Sequence, residues 1–213
     1  MTHLAWALLA LAAAFAVTDW IGVAHDDVRL RWVGKPGTMV LLVAVAIALQ
    51  PASQTQRFIF VAALLLSLGG DVLLLGRNAW FLGGLAAFLG AHLAYGGGFV
   101  VGGIDGHRLL LTAPAVAVVS LAVGGRVLRA IAGSGVSSML PPVLLYLLAI
   151  SAMVALAGAE GRPTAIAGAC LFYLSDSLLA WNRFVRPLAW SRLPLIVSYH
   201  LGQACLVLSL AAG

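Results

Sequence analysis

The sequence predicts an all-α polytopic integral membrane protein, a bundle of about eight transmembrane helices. Of its 213 residues, 62% are hydrophobic and only 9% are charged. The mean hydropathy is +1.06, a balance that is typical of membrane proteins and not of soluble domains. Apolar runs, several of which approach the ~20 residues that span the hydrocarbon as a helix, follow one another with short polar breaks. No room is left for a soluble domain, so we expect one transmembrane domain over residues 1–213.

Breaks rich in glycine, proline and polar residues divide the chain into its predicted helices. These breaks are KPG at 35–37, QPASQTQR at 50–57, GRN at 76–78, GGIDGHR at 102–108, GSGVSS at 133–138, GRP at 161–163 and NRFVRPLAWSR at 182–192. The predicted helices cover 3–23, 37–50, 57–75, 80–101, 109–124, 140–159, 163–181 and 193–211. The second and fifth are short for a span. The first lacks a basic n-region, so we interpret it as a retained helix and not a signal peptide.

Basic residues concentrate in alternate loops, and this predicts an orientation. Loops 1, 3, 5 and 7 contain Arg29, Arg31, Lys35, Arg77, Arg126, Arg129, Arg183, Arg186 and Arg192, whereas loops 2, 4 and 6 contain Arg57, Arg108 and Arg162. By the positive-inside rule the odd loops are cytoplasmic, and both termini lie on the opposite face. Topology therefore accounts for the net charge of +5, and no nucleic-acid partner is expected. Arginine predominates over lysine, which favours a bacterial inner membrane.

Two aspartates inside apolar runs are the main functional signal. Asp71 lies in SLGGDVLLLGRN and Asp176 in LFYLSDSLLAWNR, each shortly before an arginine. A carboxylate at the centre of a membrane helix costs at least ~2.5 kcal/mol, so such groups usually face a protein interior or a water-filled cavity. Both lie about one to two helical turns inside the odd-loop boundary, which predicts one shared site open to the cytoplasmic side. The alternative is a packing role, with Asp71 either hydrogen-bonded to Ser67 or paired with a neighbouring cation, and Asp176 hydrogen-bonded to its serine neighbours.

Other polar residues at this depth are candidates for binding a substrate or water. Lys35, predicted to lie just before helix 2, would either reach lipid headgroups or bind a phosphate. Tyr199 and Gln203 share one helical face. The substrate-binding candidates are Lys35, His92, Tyr146, Ser175, Asn182, Tyr199 and Gln203.

Several candidates have an equally ordinary structural interpretation. His92 and His200 are favoured as core histidines with satisfied hydrogen bonds. Asn182 would either cap helix 7 or contact a ligand, and Asp19 is either a solvated helix end or a site residue. Tyrosines and Gln203 would also serve as hydrogen-bonding groups between helices.

Metal and protease chemistry receive less support. No HExxH or HxxxH pair occurs in the sequence, so neither a metal nor another cofactor is predicted. Cys170 and Cys205 fall within apolar spans without a CxxC motif and are interpreted as buried thiols. Paired aspartates also occur in GxGD intramembrane proteases, but here the string reads LGGD at 68–71, and serine precedes Asp176. Both departures argue against a protease.

Five motifs in order along the chain resemble the YhhN-like family of lysoplasmalogenases. They are Lys35-Pro36, Ser67-x-x-Gly70-Asp71-x-Leu73-Leu74, Phe81-x-x-Gly84-x-x-x-Phe88-x-x-x-His92-x-x-Tyr95, Gly168-x-x-x-Phe172-x-x-Ser175-Asp176-Ser177-Leu178-Leu179-Ala180 and Tyr199-x-x-x-Gln203. The resemblance covers nearly the whole chain. It implies hydrolysis of the vinyl ether bond of lysoplasmalogens to a fatty aldehyde and a glycerophosphocholine or glycerophosphoethanolamine. The implied partners are the lysophospholipid substrate and membrane lipids.

Acid–base chemistry by two carboxylates suits that reaction. One of Asp71 and Asp176 would be protonated and act as general acid, and the other, ionised, would stabilise the cation and activate water. The sequence does not decide which. A proton-coupled transporter or lipid-handling protein that uses the same aspartates is the alternative, and polar groups on both halves of the membrane would favour it.

Overall fold

Eight α-helices make up most of the part that the structure describes, residues 2–76 and 78–211 without the side chain of Asn78, and no β-strand occurs there. In this computed structural model they are α1 His3–Ala24, α2 Val28–Ala48, α3 Gln54–Leu75, α4 Phe81–Gly102, α5 Gly106–Ala132, α6 Leu140–Glu160, α7 Pro163–Ala180 and α8 Arg192–Leu208. Seven of these described helices are long and apolar enough to cross a membrane, and α8, with 17 residues, is shorter. The predicted all-α membrane bundle is confirmed.

The predicted start of helix 2 is wrong. α2 begins at Val28 instead of 37, because the Asp27 side chain caps it by accepting hydrogen bonds from the backbone N–H groups of Arg29 and Leu30. Lys35, predicted to precede the helix, therefore lies inside it, next to an internal proline.

Helix 5 was also predicted too short. α5 covers 27 residues and ends at Ala132, whereas the predicted helix ended at 124. Its last turns carry Arg126 and Arg129, whose side chains donate to the carbonyls of Ala122 and Gly125 one turn earlier. These two arginines, which were predicted to lie in a loop, therefore extend α5, because their side chains hydrogen-bond to its backbone carbonyls. Arg77, counted with the basic loops, lies outside the described residues.

Consecutive helices form four antiparallel hairpins, α1 with α2, α3 with α4, α5 with α6 and α7 with α8. α2 also packs on α3, α4 on α6, and α6 on α7, while α8 returns to α1 and α2. The helices therefore surround a common interior. α5 lies mainly against α6 and buries few residues.

Glycines bring helices close together where the interior is formed. A Cβ atom at Gly168 of α7 would lie 2.9 Å from the carbonyl oxygen of Gly202 of α8, so these two helices are in backbone contact. At Gly70 of α3 a Cβ would lie 2.6 Å from the ring of Phe88 of α4. Small residues allow such approach in membrane bundles, and here they set the positions of Asp71 and of α7.

Three rings from three helices form an aromatic layer in the interior. Phe88, Phe172 and Tyr199 meet edge to face, with ring centroids 5.4–6.0 Å apart. This geometry matches the positive edge of each ring to the negative face of its neighbour. The layer fixes Tyr199 beside Asp71 and joins α4, α7 and α8.

A polar cluster joins helix ends on the side of the bundle away from the odd loops. Gln56 of α3 donates to the Glu160 carboxylate at the end of α6 over 2.8 Å. Arg162 lies 3.9 Å from the same carboxylate and donates to the carbonyl of Ser209. The Glu160 side chain is only 2% exposed. The polar candidates chosen from the sequence lie at the depth of Asp71 and Asp176, near the odd loops, and this cluster was not among them.

Candidate active site

Asp71 lies in the interior with both carboxylate oxygens held. Lys35 Nζ is 2.8 Å from Oδ1, and the Tyr199 hydroxyl donates to Oδ2 over 2.6 Å. Asp71 is fully buried, and Lys35 is only 8% exposed. The packing interpretation offered Ser67 or a neighbouring cation as partner: the cation is present, whereas the Ser67 hydroxyl has no hydrogen bond among the described residues. Asp71 of α3 therefore forms a buried ion pair with Lys35 of α2 and accepts a hydrogen bond from Tyr199 of α8.

A chain of hydrogen bonds supports Tyr199 from behind. The fully buried Tyr95 hydroxyl donates to Gln203 Oε1 over 2.6 Å, and Gln203 Nε2 donates to the Tyr199 hydroxyl over 3.4 Å. Tyr199 and Gln203 share one face of α8, as predicted from their spacing. The Lys35 ammonium also lies 5.1 Å from the centre of the Tyr199 ring, within the range of a cation–π contact. Four helices thus orient the Asp71 carboxylate.

Asp176 has a different set of partners. The Tyr146 hydroxyl of α6 donates to Asp176 Oδ2 over 2.5 Å, and His92 Nε2 of α4 lies 3.1 Å from the same oxygen. His92 Nε2 and the Tyr146 hydroxyl are 3.0 Å apart. Neither Tyr146 nor His92 hydrogen-bonds to Asp176 Oδ1. The Asp176 side chain keeps 12% of its surface exposed.

His92 is held by rings as well as by hydrogen bonds. Its imidazole is fully buried and lies edge to face with Tyr146 and Phe172, at centroid distances of 5.0 and 4.8 Å. The sequence favoured a core histidine, and the structure adds direct contact with a candidate catalytic carboxyl. His92 is therefore a core histidine, but its Nδ1 has no hydrogen-bond partner among the described residues, so its hydrogen bonds are not fully satisfied as the sequence interpretation expected.

The two aspartates line one polar cavity of about 180 Å³, far more than the ~10–15 Å³ that a cavity needs in order to hold a single water. Three basic side chains, Arg31, Lys35 and Arg192, line it too. Its described lining comprises Val23, Arg31, Lys35, Asp71, Leu74, Leu75, Phe88, Ser175, Asp176, Leu179, Arg192, Leu195, Ile196 and Tyr199. The predicted shared site for the two carboxylates thus has a structural counterpart, which we call the polar cavity.

A comparison with known families identifies the chain. The model of the YhhN family matches residues 30–210, which include every residue of the two carboxylate centres. The chain belongs to the YhhN family. The resemblance that the sequence motifs indicated is confirmed.

Two relatives of this YhhN protein carry a functional name. A segment of 77 residues is 40% identical to lysoplasmalogenase TMEM86B of Sus scrofa, covering 34% of each chain. A segment of 71 residues is 39% identical to lysoplasmalogenase TMEM86B of Homo sapiens, covering 33% of this chain and 31% of the relative. The match therefore spans about a third of the length of these relatives. No solved structure matches the YhhN protein significantly.

A third aspartate of the YhhN protein lies near the polar cavity. Asp19 of α1 is fully buried, 3.8 Å from Arg31 Nε and 3.8 Å from His200 Nε2. Trp20 Nε1 donates to His200 Nδ1 over 3.1 Å, so Nε2 carries the hydrogen of the neutral ring. Asp19 is not the solvated helix end that one interpretation of the sequence favoured. It faces the cationic side of the bundle interior.

Two predicted binding residues differ in their placement. Ser175 is buried and lines the polar cavity. Asn182 lies in the single π-helical turn after α7, where it bonds to Ser191 Oγ over 2.7 Å and accepts from the backbone N–H of Leu188. The structure therefore does not bring Asn182 to the site; it fixes the connection from α7 to α8.

Sequence reasoning missed Arg31 and Arg192. Arg31 precedes Lys35 by four residues and shares its helical face, a relationship visible only once α2 is known to start at Val28. Arg192, the first residue of α8, forms an ion pair of 2.5 Å with Asp26 in the turn between α1 and α2. The hydrogen bond and charge of Arg192 lower the pKa of Asp26. The sequence signal that could have located the start of α2, and with it Arg31, is the capping residue Asp27.

The described residues contain no group of three or more His, Cys, Asp and Glu side chains arranged to hold a metal ion.

Proposed function

We propose that this protein is a lysoplasmalogenase-like hydrolase. It cleaves the vinyl ether bond of a single-chain ether lysophospholipid and releases a fatty aldehyde and a glycerophosphocholine or glycerophosphoethanolamine. The observation that carries the proposal is that two carboxyl groups with different partners line one cavity inside a membrane bundle. Paired carboxyls in different environments are the usual arrangement for acid and base roles. The names of the two relatives agree with it.

Asp176 takes the role of general acid in this mechanism. Both oxygens of Asp71 are held, one of them by the Lys35 ammonium, whereas Tyr146 and His92 contact only Oδ2 of Asp176. The Asp176 carboxyl gives its proton to the β-carbon of the vinyl ether. The C=C π electrons form the new C–H bond, and the ether oxygen shares the positive charge of the resulting oxocarbenium ion. Asp71 and the ionised Asp176 stabilise that cation.

Water then completes the hydrolysis. A water molecule in the polar cavity attacks the oxocarbenium carbon and gives one proton to Asp176, which regenerates the acid. The product is a hemiacetal. Its hydroxyl proton is lost as the bond from carbon to the glycerol oxygen breaks, and that oxygen takes up a proton. The net change is one vinyl ether and one water converted to one aldehyde and one alcohol.

The phosphate of the headgroup binds at the basic side of the polar cavity. Arg31, Lys35 and Arg192 approach it from α2 and α8. An arginine guanidinium matches a phosphate with two parallel hydrogen bonds. The ion pair of Arg192 with Asp26 is exposed, so an incoming phosphate displaces Asp26 at low cost.

The excess of basic residues in the odd loops supports a cavity that opens to the cytoplasmic side. We extend the proposal to a bacterial inner membrane, in which the whole chain acts as one transmembrane domain. Cysteine accessibility at Asp26→Cys and Asp105→Cys, two exposed positions at opposite ends of the bundle, tests the orientation in intact cells. Labelling of Asp26→Cys from outside would contradict it.

Aldehyde release is the direct test. Purified protein in detergent is incubated with 1-alkenyl lysophosphatidylcholine and lysophosphatidylethanolamine, beside Asp71→Asn and Asp176→Asn variants and a chelator-treated sample. Asp105→Asn, which changes an exposed carboxyl at the start of α5, is the matched control. We expect aldehyde from the wild type and the control, and a loss of at least ~100-fold in both site variants. Full activity in both well-folded site variants would overturn the mechanism.

A proton-coupled transporter is the second candidate, and the buried Glu160 cluster at the other end of the bundle favours it. Polar groups then lie in both halves of the membrane, as alternating access requires. Proteoliposomes with a trapped pH indicator distinguish the two candidates. Lipid-dependent proton flux without aldehyde release would support transport, and aldehyde release without flux would support the hydrolase.

A further inference from the structure

An apolar groove lies on the opposite side of α7 from the basic residues of the polar cavity. Residues of α4, α5, α6 and α7 line it, and its described lining comprises Phe81, Leu85, Val123, Gly124, Val127, Leu128, Val143, Tyr146, Leu147, Ile150, Tyr173, Asp176, Ser177, Leu179, Ala180, Arg183 and Phe184. Almost all of these side chains are hydrocarbon or aromatic. Nothing in the proposed acid–base chemistry requires such a surface.

The groove meets the polar cavity at Asp176. Asp176 and Leu179, one turn apart on α7, line both spaces. One carboxyl therefore faces a cationic cavity on one side and hydrocarbon on the other. A single-chain ether lipid has the same order of parts, since its vinyl ether joins the polar glycerophosphate to the hydrocarbon chain.

Side chains limit the groove at both ends. At its outer end Phe81 lies edge to face with Phe184, and the Arg183 guanidinium lies 4.7 Å from the centre of the Phe81 ring. At its inner end the Tyr173 hydroxyl donates to Ser120 Oγ, which lies 2.8 Å from Ser151 Oγ. Measured from Asp176, the helix rises about 10 Å to Arg183 and about 5 Å to Tyr173. The groove therefore has a finite length beside the acid.

We propose that this groove binds the hydrocarbon chain of the lysolipid and determines which chain lengths are accepted. The inference rests on the proposed function for the identity of the substrate, and on the geometry alone for the binding of a single chain. With the head among the basic residues and the chain in the groove, the vinyl ether lies at Asp176. The β-carbon, which is the chain-side carbon of the double bond, then faces the carboxyl that protonates it.

The width of the groove is set where α5 meets α6. Leu147 of α6 packs against Gly124 of α5, and a Cβ atom at Gly124 would collide with the Leu147 side chain. Leu147 is thus held against α5 by the absence of a side chain on the facing helix. Its neighbour Leu148 is 58% exposed and does not line the groove. The pair offers a matched test on adjacent residues.

Photolabelling tests binding without requiring turnover. The probe is a 1-alkyl lysophosphatidylcholine, which has no vinyl ether to hydrolyse, with a diazirine near the end of its chain. We expect labelled peptides from the facing sides of α5, α6 and α7, and displacement by unlabelled 1-hexadecyl lysophosphatidylcholine. Labels confined to the lipid-facing side of α5, such as Leu121 at 76% exposure, would indicate bilayer contact only and would overturn the inference.

Chain-length dependence tests the role in specificity. Leu147→Trp should shift labelling and KM towards shorter chains, and Leu147→Ala towards longer chains, with a change of about fourfold for each methylene gained or lost from the groove. Leu148→Trp should behave as the wild type. Dividing each variant's values by those of the wild type removes the effect of chain length on partition into detergent. Identical profiles for Leu147→Trp, Leu147→Ala and wild type would contradict the proposal.

The two proposals fail separately. Aldehyde release with a chain-length profile that Leu147 does not alter would leave the hydrolase intact and remove the groove. Labelling in the groove that Leu147→Trp abolishes and Leu148→Trp does not, without any aldehyde release, would leave a single-chain lipid site and remove the hydrolase.

Discussion

Lys35 Nζ lies 2.8 Å from Asp71 Oδ1 in the interior of the bundle, where both side chains are buried. The single lysine of the chain is thus paired with one of its two candidate catalytic carboxylates. Removing one member of a buried ion pair leaves an uncompensated charge, which usually costs ~3–5 kcal/mol.

Lys35→Met should therefore destabilise the protein strongly, by about 3 kcal/mol. The double variant Lys35→Met/Asp71→Asn should recover part of that loss, because it removes the unpaired charge as well. Chemical denaturation in detergent measures both. Additive losses in the double variant would show that the two side chains do not interact energetically.

Tyr146→Phe should lower kcat by about 10- to 100-fold, because it removes a hydrogen bond to an acidic group, worth about 1.5–3 kcal/mol, from Asp176. KM should stay close to the wild-type value, since the phenyl ring keeps its contacts with His92 and the groove. Steady-state kinetics with an alkenyl lysolipid measure the two constants separately. An increase in KM alone would assign Tyr146 to binding and not to positioning of the acid.

Gly168→Ala should destabilise the contact between α7 and α8, because its methyl group would lie 2.8 Å from the backbone nitrogen of Leu206. Gly97→Ala on α4 is the matched control, since its methyl group meets no atom within 4 Å. Alanine favours a helix over glycine by about 1 kcal/mol, so the control should be neutral or slightly stabilising. Thermal unfolding that ranks the two variants the other way would argue against close packing of α7 on α8.

The ion pair of Asp26 with Arg192 should give a small, pH-dependent contribution. The pKa of Asp26 is lowered from 3.8 by the hydrogen bond and charge of Arg192. A carboxyl whose pKa is lower in the folded than in the unfolded protein stabilises the fold at every pH above its unfolded-state pKa. It loses that contribution as the pH falls through its folded-state pKa. The difference in melting temperature between wild type and Asp26→Asn should therefore be constant at neutral pH, begin to fall near pH 3.8, and disappear once the pH is below the lower pKa of the folded protein. A difference that persists in acid would have another cause.

Local patterns in the sequence were sufficient to find each helix, although not the limits of α2 and α5, and to single out Asp71 and Asp176 as candidates. Hydropathy and breaks located every helix, and burial cost singled out the two acids. The start of α2 was missed because its first two turns carry Arg29, Arg31 and Lys35 and so resemble a basic loop, and only the Asp27 cap indicates a helix there. The partners of Asp176 come from α4 and α6, 84 and 30 positions away. No periodicity encodes such contacts, because they depend on which helices become neighbours.

The hydrogen bonds behind Asp71 run in one direction only. Tyr95 donates to Gln203, Gln203 to Tyr199, and Tyr199 to the carboxylate. The glutamine receives through its oxygen and donates through its nitrogen, so a proton that arrives at one atom is not released from the other. The chain therefore orients Asp71 without acting as a proton wire. Any proton that Asp71 exchanges with solvent has to travel through the water of the polar cavity, on the same side from which a substrate enters.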